Sequence, residues 1–121
     1  MSTLNVSNIS DGTTSVGTGY VVNGSAKAYF HGDITATIVD GQSFNISSGQ
    51  DNAVGIFQYS MTNSMSSADY IGLVTVNSGG LRVTAHNASV NTSSIFGASI
   101  GTSYTALSDE PQNGVAYGDL A

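Results

Sequence analysis

Apolar residues in this chain come in short runs that alternate with polar ones and are cut off by Gly, Asn, Asp or Ser, and this punctuation constrains the fold more than any other feature. No window of eleven residues sets apolar side chains at i, i+3, i+4 and i+7 with a cap at each end, so helix is expected to be nearly absent. About seven to nine short strands at intervals of roughly 8 to 12 residues predict an all-β domain. The expected form is an antiparallel β-sandwich or partly closed barrel with an N-terminal extended arm. At 121 residues the chain suffices for one modest core and not for two.

Strand by strand, Tyr20 to Val22 and Ala26 to His31 flank Asn23-Gly24, the strongest hairpin signal in the chain. Ile34 to Val39 and Ser43 to Ser47 flank Asp40-Gly41, a second predicted two-residue turn. Gly55 to Tyr59 alternates cleanly, with Phe57 and Tyr59 on one face and Val54, Ile56 and Gln58 on the other. Met61 to Met65 leads into a predicted helical turn over Ser66 to Asp69, capped by its first serine. Tyr70 to Val76 is the longest hydrophobic run and the predicted central buried strand. Leu81, Val83 and Ala85 alternate with Arg82, Thr84 and His86, the latter set expected to face out. Ile95 to Ile100 reads as a weaker strand, and Val115 to Tyr117 as a terminal one entered after Pro111, where no ladder donor is needed. Residues 1–25, with the Gly/Thr/Ser stretch Asp11 to Gly19, read as an anchoring arm, and residues 26–121 as the β-sandwich domain. In the arm, Leu4, Val6, Ile9 and Val16 are the candidate assembly contacts.

Charge narrows the possible partners. Two basic residues, Lys27 and Arg82, stand against eight acids, for a net charge of −6. Phosphate neutralisation needs clustered Lys and Arg, so neither nucleic acid nor an anionic membrane surface is an expected partner. Charged residues are only 8% of the chain, against roughly 25% in an average soluble protein. Ser, Thr, Asn and Gly fill the gap, while the 40% hydrophobic content argues against disorder. Such a surface of hydroxyls and amides can be covered in an assembly without desolvating ions. There is no cysteine, hence no disulfide framework or thiolate chemistry. No apolar run is long enough to cross a membrane as a helix, and the start at Met1 lacks a signal-peptide pattern, so a soluble, unprocessed product is expected.

Few residues offer chemistry. His31 lies two residues from Asp33, His86 is far along the chain, and no G-x-S-x-G elbow presents a serine nucleophile. His31 is expected beside the turn at Gly32, and His86 on an outward strand face. Asp109 and Glu110 offer hard oxygen ligands, but no D-x-[DN]-x-[DN]-G loop organises them, and Asp51-Asn52 reads as a turn former. A Lys27 to Asn covalent bridge would require Lys27 buried beside an acid. The residues therefore nominate no catalytic group, metal ligand or cofactor. Among the six tyrosines, Tyr59 and Tyr70 are expected in the core, and Tyr104, in the loop-like stretch Gly101 to Pro111, is the candidate receptor contact.

Several phrases together carry a resemblance. They are STLNVSNISDGTTSV (Ser2 to Val16), VNGSAKAYFHG (Val22 to Gly32), DGQSFNISS (Asp40 to Ser48), FQYSMTNSMSSADYIGLV (Phe57 to Val74) and DEPQNGVAYGD (Asp109 to Asp119). In this combination the chain resembles small tail-fibre and virion structural proteins of tailed bacteriophages, particularly marine ones. It departs from their pattern at His31-Gly32, where an Asn-rich turn is usual, and in the more apolar terminal strand around Ala116 and Tyr117. The resemblance implies a non-enzymatic, surface-displayed virion component that is homotrimeric and bound to other virion proteins of the capsid or tail. The arm spans under roughly 90 Å even if fully extended, and a fibre without a shaft suits a capsid decoration or a tip docked on another protein. The alternative is an adhesin tip whose loops hold host glycan or surface protein.

Overall fold

The computed structural model describes residues 1–87, 91–103 and 105–121, with the side chain of residue 40 left aside. Along the chain come β1 (Asn8–Ser10), β2 (Ser15–Gly17), α1 (Thr18–Gly24), β3 (Ala28–Gly32), β4 (Ile38–Phe44), β5 (Ile46–Ala53), β6 (Ile56–Met61), β7 (Ile71–Val76), β8 (Val83–His86), β9 (Ile95–Ser103), β10 (Ala106–Leu107) and β11 (Gln112–Tyr117). Two sheets stack face to face, one in the order β4-β3-β11-β7 and the other β10-β9-β6-β5, with β8 also pairing β9. Every pairing is antiparallel, and the sheets form a sandwich without closing into a barrel.

Period-two patterning selects the inner faces. On β6, Phe57, Tyr59 and Met61 are buried while Ile56, Gln58 and Ser60 are only partly covered, as the alternation predicts. Ala28 and Phe30 of β3, Ala116 of β11 and Phe96, Ala98 and Ile100 of β9 complete the packing. The Phe30 and Tyr59 rings stack across the core, and Phe96 meets Phe30 edge-on. Gly114 supplies the space for Phe30, since a Cβ there would overlap the ring.

Several local predictions are corrected. Asn23-Gly24 closes no hairpin: it ends α1, which takes in Tyr20 to Val22, so the arm is a hairpin followed by a helix and not an extended segment. Asp40-Gly41 lies inside β4, at a bulge where Gly41 has φ +65°, and does not turn the chain. The reversal comes earlier, because the Asp33 carboxylate accepts hydrogen bonds from the Thr35 and Thr37 amides and the Thr35 hydroxyl. Those bonds, the Thr35 hydroxyl's first, hold the Asp33 pKa below the usual carboxylate range. Ser43 to Ser47 is not one strand, since Asn45, at φ 57°, carries the chain from one sheet to the other. Its side-chain amide donates to the carbonyls of Lys27 (3.0 Å) and Asn63 (2.9 Å), and its Oδ1 accepts from the Asn63 amide (2.7 Å).

Asp51-Asn52 lies within β5, and the turn falls at Val54-Gly55, with Gly55 at φ +66°. Ser66 to Asp69 forms a bend in place of a helical turn. Tyr70 to Val76 contributes an edge strand, β7, while the centre of its sheet is β3 and β11, and the expected weak strand at Ile95 becomes the nine-residue β9 in the middle of the other sheet. Hydrophobicity alone misplaced them, because burial on a strand requires partners on both edges as well as an apolar sequence. His31 is a strand residue of β3, not part of a turn.

Candidate functional site

The arm is built from its own local bonds. The Asp11 carboxylate accepts from the Thr14 and Thr13 amides and turns β1 into β2, which pairs Ile9 with Val16. Those amide bonds, Thr14's first, lower the Asp11 pKa. The Thr18 amide and hydroxyl bond back to the Ser7 carbonyl, joining α1 to the hairpin. The unit buries no side chain of α1, and Leu4 (83% exposed), Val6, Ile9 and Val16 all remain open, as do Tyr20 and Val22. Ile9 and Val16 are adjacent as a cross-strand pair and the Val6 carbonyl accepts from the Thr18 hydroxyl, while Leu4 precedes the hairpin outside any element.

Lys27 ties this unit to the sandwich. Its ammonium is buried and donates to the Val22 carbonyl at the C-terminal end of α1 and to the carbonyl and hydroxyl of Ser25. Its amide meanwhile donates to the Ala116 carbonyl of β11 (2.8 Å). Among the described residues the partners of the Lys27 ammonium are two carbonyls and a hydroxyl, and none of them is an acid. The other cation, Arg82, donates from Nε to Glu110 (2.6 Å), which holds the Glu110 pKa down. Both basic residues are therefore committed within the chain. Asp109 is engaged too, accepting from the Gly55 amide (2.7 Å).

His86 corrects the predicted orientation of its strand. Val83 and Ala85 are exposed while Thr84 and His86 turn inward. The Thr84 hydroxyl bonds the Val74 carbonyl (2.7 Å), and the His86 ring packs beside Tyr70 and Phe96. Gly72 leaves room for that ring. Asn91 is the hub: its Oδ1 meets His86 Nε2 (2.8 Å), the Tyr70 hydroxyl and the Gly97 amide, and its Nδ2 donates to the Ala68 carbonyl (3.0 Å). Together these bonds tie the loop at Asn91 to β8, to residues 68–70 and to β9. Burial raises the Tyr70 pKa. Among the described residues no group of three or more His, Cys, Asp or Glu gathers as a metal site would require.

Two surfaces remain available for partners. A cleft of about 380 Å³ opens between the end of α1, the bend after Met65 and the end of β11. Ser66, Ser67, Asp69 and Asp119 line it together with Tyr70 and Tyr117. The second surface is the outer face of the four-stranded sheet. There the ladder register lines up Phe44, Tyr29, Val115 and Leu73 across all four strands, with Tyr117 and Ile71 paired alongside. Tyr29 and Phe44 stack at 5.9 Å, and both are about half exposed.

Tyr104 lies outside the described residues. Three residues that hold the elements together here, Lys27, Asn45 and Asn91, carry no motif in the sequence. The available signal was rarity for Lys27, as one of two cations, and for Asn45 its place amid an otherwise alternating run. Among the described residues no helix is long and apolar enough to cross a membrane. No protein-family model matches the chain, and no curated protein or solved structure matches it either.

Proposed function

We propose that this chain is a non-enzymatic structural protein of a bacteriophage particle, a small surface-displayed fibre, spike or capsid-decoration subunit held through its N-terminal arm. The observation that carries the reading is the division of labour along the chain. A rigid sandwich holds the core, while a latched hairpin-helix unit leaves Leu4, Val6, Ile9 and Val16 uncovered. Apolar side chains held in a folded unit with no core of its own gain burial only against a partner. Support also comes from the phrase-level resemblance to phage fibre proteins, which brings homotrimeric assembly and a place on the virion surface with it. The His86, Lys27 and Arg82 side chains and the Asp11 and Asp33 carboxylates described above are engaged within the chain.

Saturation binding of the full-length labelled protein to phage particles that lack it tests the reading. Binding is expected, and Leu4→Asp/Ile9→Asp is expected to weaken it more than tenfold without changing the fold, because both side chains are exposed. Undiminished binding by the double variant would remove the arm from the interface, and no binding by the parent protein would remove the virion role.

An adhesin is the second reading, and the cleft favours it. Carboxylate, hydroxyl and phenol groups around a cleft of that size suit a glycan, which presents hydroxyls for hydrogen bonds and a C–H face for an aromatic ring. Saturable binding to host cells, lost in Asp119→Asn or Tyr117→Ala, is the expected result if this reading holds.

A further inference from the structure

We infer that Asn23 is a site of spontaneous deamidation: the Asn23-Gly24 pair at the end of α1 converts to aspartate and isoaspartate, while the fold holds the same pair at Asn113-Gly114 in β11 back. The chain contains these two Asn-Gly pairs, and the same chemistry is open to both. The glycine amide nitrogen attacks the side-chain carbonyl carbon of the asparagine. A five-membered cyclic imide forms, and the side-chain nitrogen leaves as ammonia, carrying the proton of the glycine amide. Water then opens the imide, giving aspartate where the new bond breaks and isoaspartate where the original main-chain bond breaks. Water is the only co-reactant, and nothing is oxidised or reduced. A following glycine favours the attack because it has no Cβ to stand in the way.

Structure separates the two pairs. The attack requires the backbone to leave its regular helix or strand path, so that the glycine nitrogen can reach the side chain. α1 resists this weakly: it has seven residues, buries none of them, starts from Gly17 without a side-chain cap bond and contains two glycines. A helix so short is marginal in water unless it is packed. Asn23 and Gly24 are both exposed, and nothing lies within 4 Å of where a Gly24 Cβ would stand. β11 resists on both edges, since Asn113 pairs with His31 of β3 and Thr75 of β7, and Gly114 with Phe30 and Val74. Gly114 is also buried against the Phe30 ring. Freeing Asn113 means opening the middle of a sheet, at a cost near that of global unfolding, whereas the end of a short exposed helix opens for far less.

The product changes the junction between arm and sandwich. A carboxylate at residue 23 stands at the C-terminal end of a helix, where the macrodipole disfavours it, next to Val22, whose carbonyl accepts from the Lys27 ammonium. Isoaspartate also lengthens the main chain there by one methylene. Residue 23 lines the cleft with Asp69 and Asp119, so conversion gathers a third carboxylate in it. The inference does not require the virion reading, since the reaction belongs to the isolated protein.

Peptide mapping by mass spectrometry of the full-length chain tests it, during incubation at mildly alkaline pH, with far-UV circular dichroism confirming that the chain stays folded. The peptide with Asn23 is expected to gain the mass that separates an amide from an acid on the order of tenfold or more faster than the peptide with Asn113. It is also expected to resolve into aspartate and isoaspartate forms. In urea strong enough to unfold the chain, the two rates are expected to converge. Gly24→Ala, for which the structure has open space, is expected to slow conversion at Asn23 and leave Asn113 as it was. Equal rates in the folded chain overturn the inference, as does an Asn23 that does not convert. So does a difference that persists undiminished in urea, which would trace it to the neighbouring residues and not to the fold.

Discussion

The Tyr59 hydroxyl, on the middle strand of one sheet, accepts a hydrogen bond from Nε2 of Gln112 on a middle strand of the other, with both residues at 0% exposure. The same Nε2 also donates to the Asp33 carbonyl (3.1 Å), so one amide joins both sheets to the turn between β3 and β4. Gly32 is part of this arrangement, because a Cβ at that position would overlap the Tyr59 hydroxyl. The Gln112 Oε1 is buried without a partner among the described residues, so the contact keeps a desolvation cost alongside its bonds.

From this contact a coupling energy follows. Tyr59→Phe should destabilise the protein by about 1 kcal/mol, since it removes one hydroxyl without opening a cavity. Gln112→Met should cost at least as much, because it leaves the buried Tyr59 hydroxyl and the Asp33 carbonyl without their donor, offset only in part by discarding the unpartnered oxygen. A double-mutant cycle by urea denaturation should return a coupling of about 1 kcal/mol between the two positions. Strict additivity would show that the bond contributes nothing.

Stability should fall at alkaline pH. Burial pushes the Tyr59 phenol up to about 12 and raises Tyr70 as well. A phenol raised in the folded state favours the neutral form there, so its contribution is complete below the unfolded value of about 10 and is lost above it. The melting temperature is therefore expected to hold to about pH 9 and drop between about pH 10 and 12. Tyrosinate absorbance should titrate in two phases, the second coinciding with loss of the β-sheet signal. A single phase with the fold intact would contradict this.

At acid pH the sign reverses. Asp33 and Glu110, depressed chiefly by the Thr35 hydroxyl and by Arg82 respectively, contribute stability above the unfolded carboxylate values, and that contribution is lost as pH falls through the lower folded values. Both carboxylates are partly covered, and each has only polar partners to lose, so the loss should be gradual. A chemical-denaturation series from about pH 6 to pH 2 should decline gradually below about pH 4. In the Asp33→Asn variant the decline should be smaller.

Two glycines should respond in opposite directions. A Cβ at Gly49 would overlap the backbone carbonyl of Ala36, which is fully buried at φ 62°, so the turn behind β3 would have to move. Gly49→Ala is expected to destabilise by more than about 2 kcal/mol. Gly19, inside α1, has nothing near its missing Cβ, and Gly19→Ala should stabilise the helix by up to about 1 kcal/mol. Thermal melts of both variants decide the matter.

The sequence by itself determined the class of fold and one of its faces. Alternation over Gly55 to Tyr59 put Phe57 and Tyr59 on one face and Ile56 and Gln58 on the other, because period two separates them on any strand, and packing then buried the aromatic face. Pro111 marked the entrance to β11 for the equally local reason that it lacks an amide donor. Tertiary structure decided what depends on partners distant in the chain. The apolar run at Tyr70 became an edge strand, since nothing local to Ile71–Val76 records that β11 would pair it on one side only. His86 turned inward because Gly72 and Asn91 open a space for its ring, and neither is near it on the same strand. Asn45 ended one strand and began another because three bonds to residues 27 and 63 hold it at positive φ. The apolar stripe exists only through register: Phe44, Tyr29, Val115 and Leu73 are unremarked residues in four separate segments until the ladder sets them side by side. Local alternation can say which face a residue takes, while the neighbours on that face are set by pairing across the sheet.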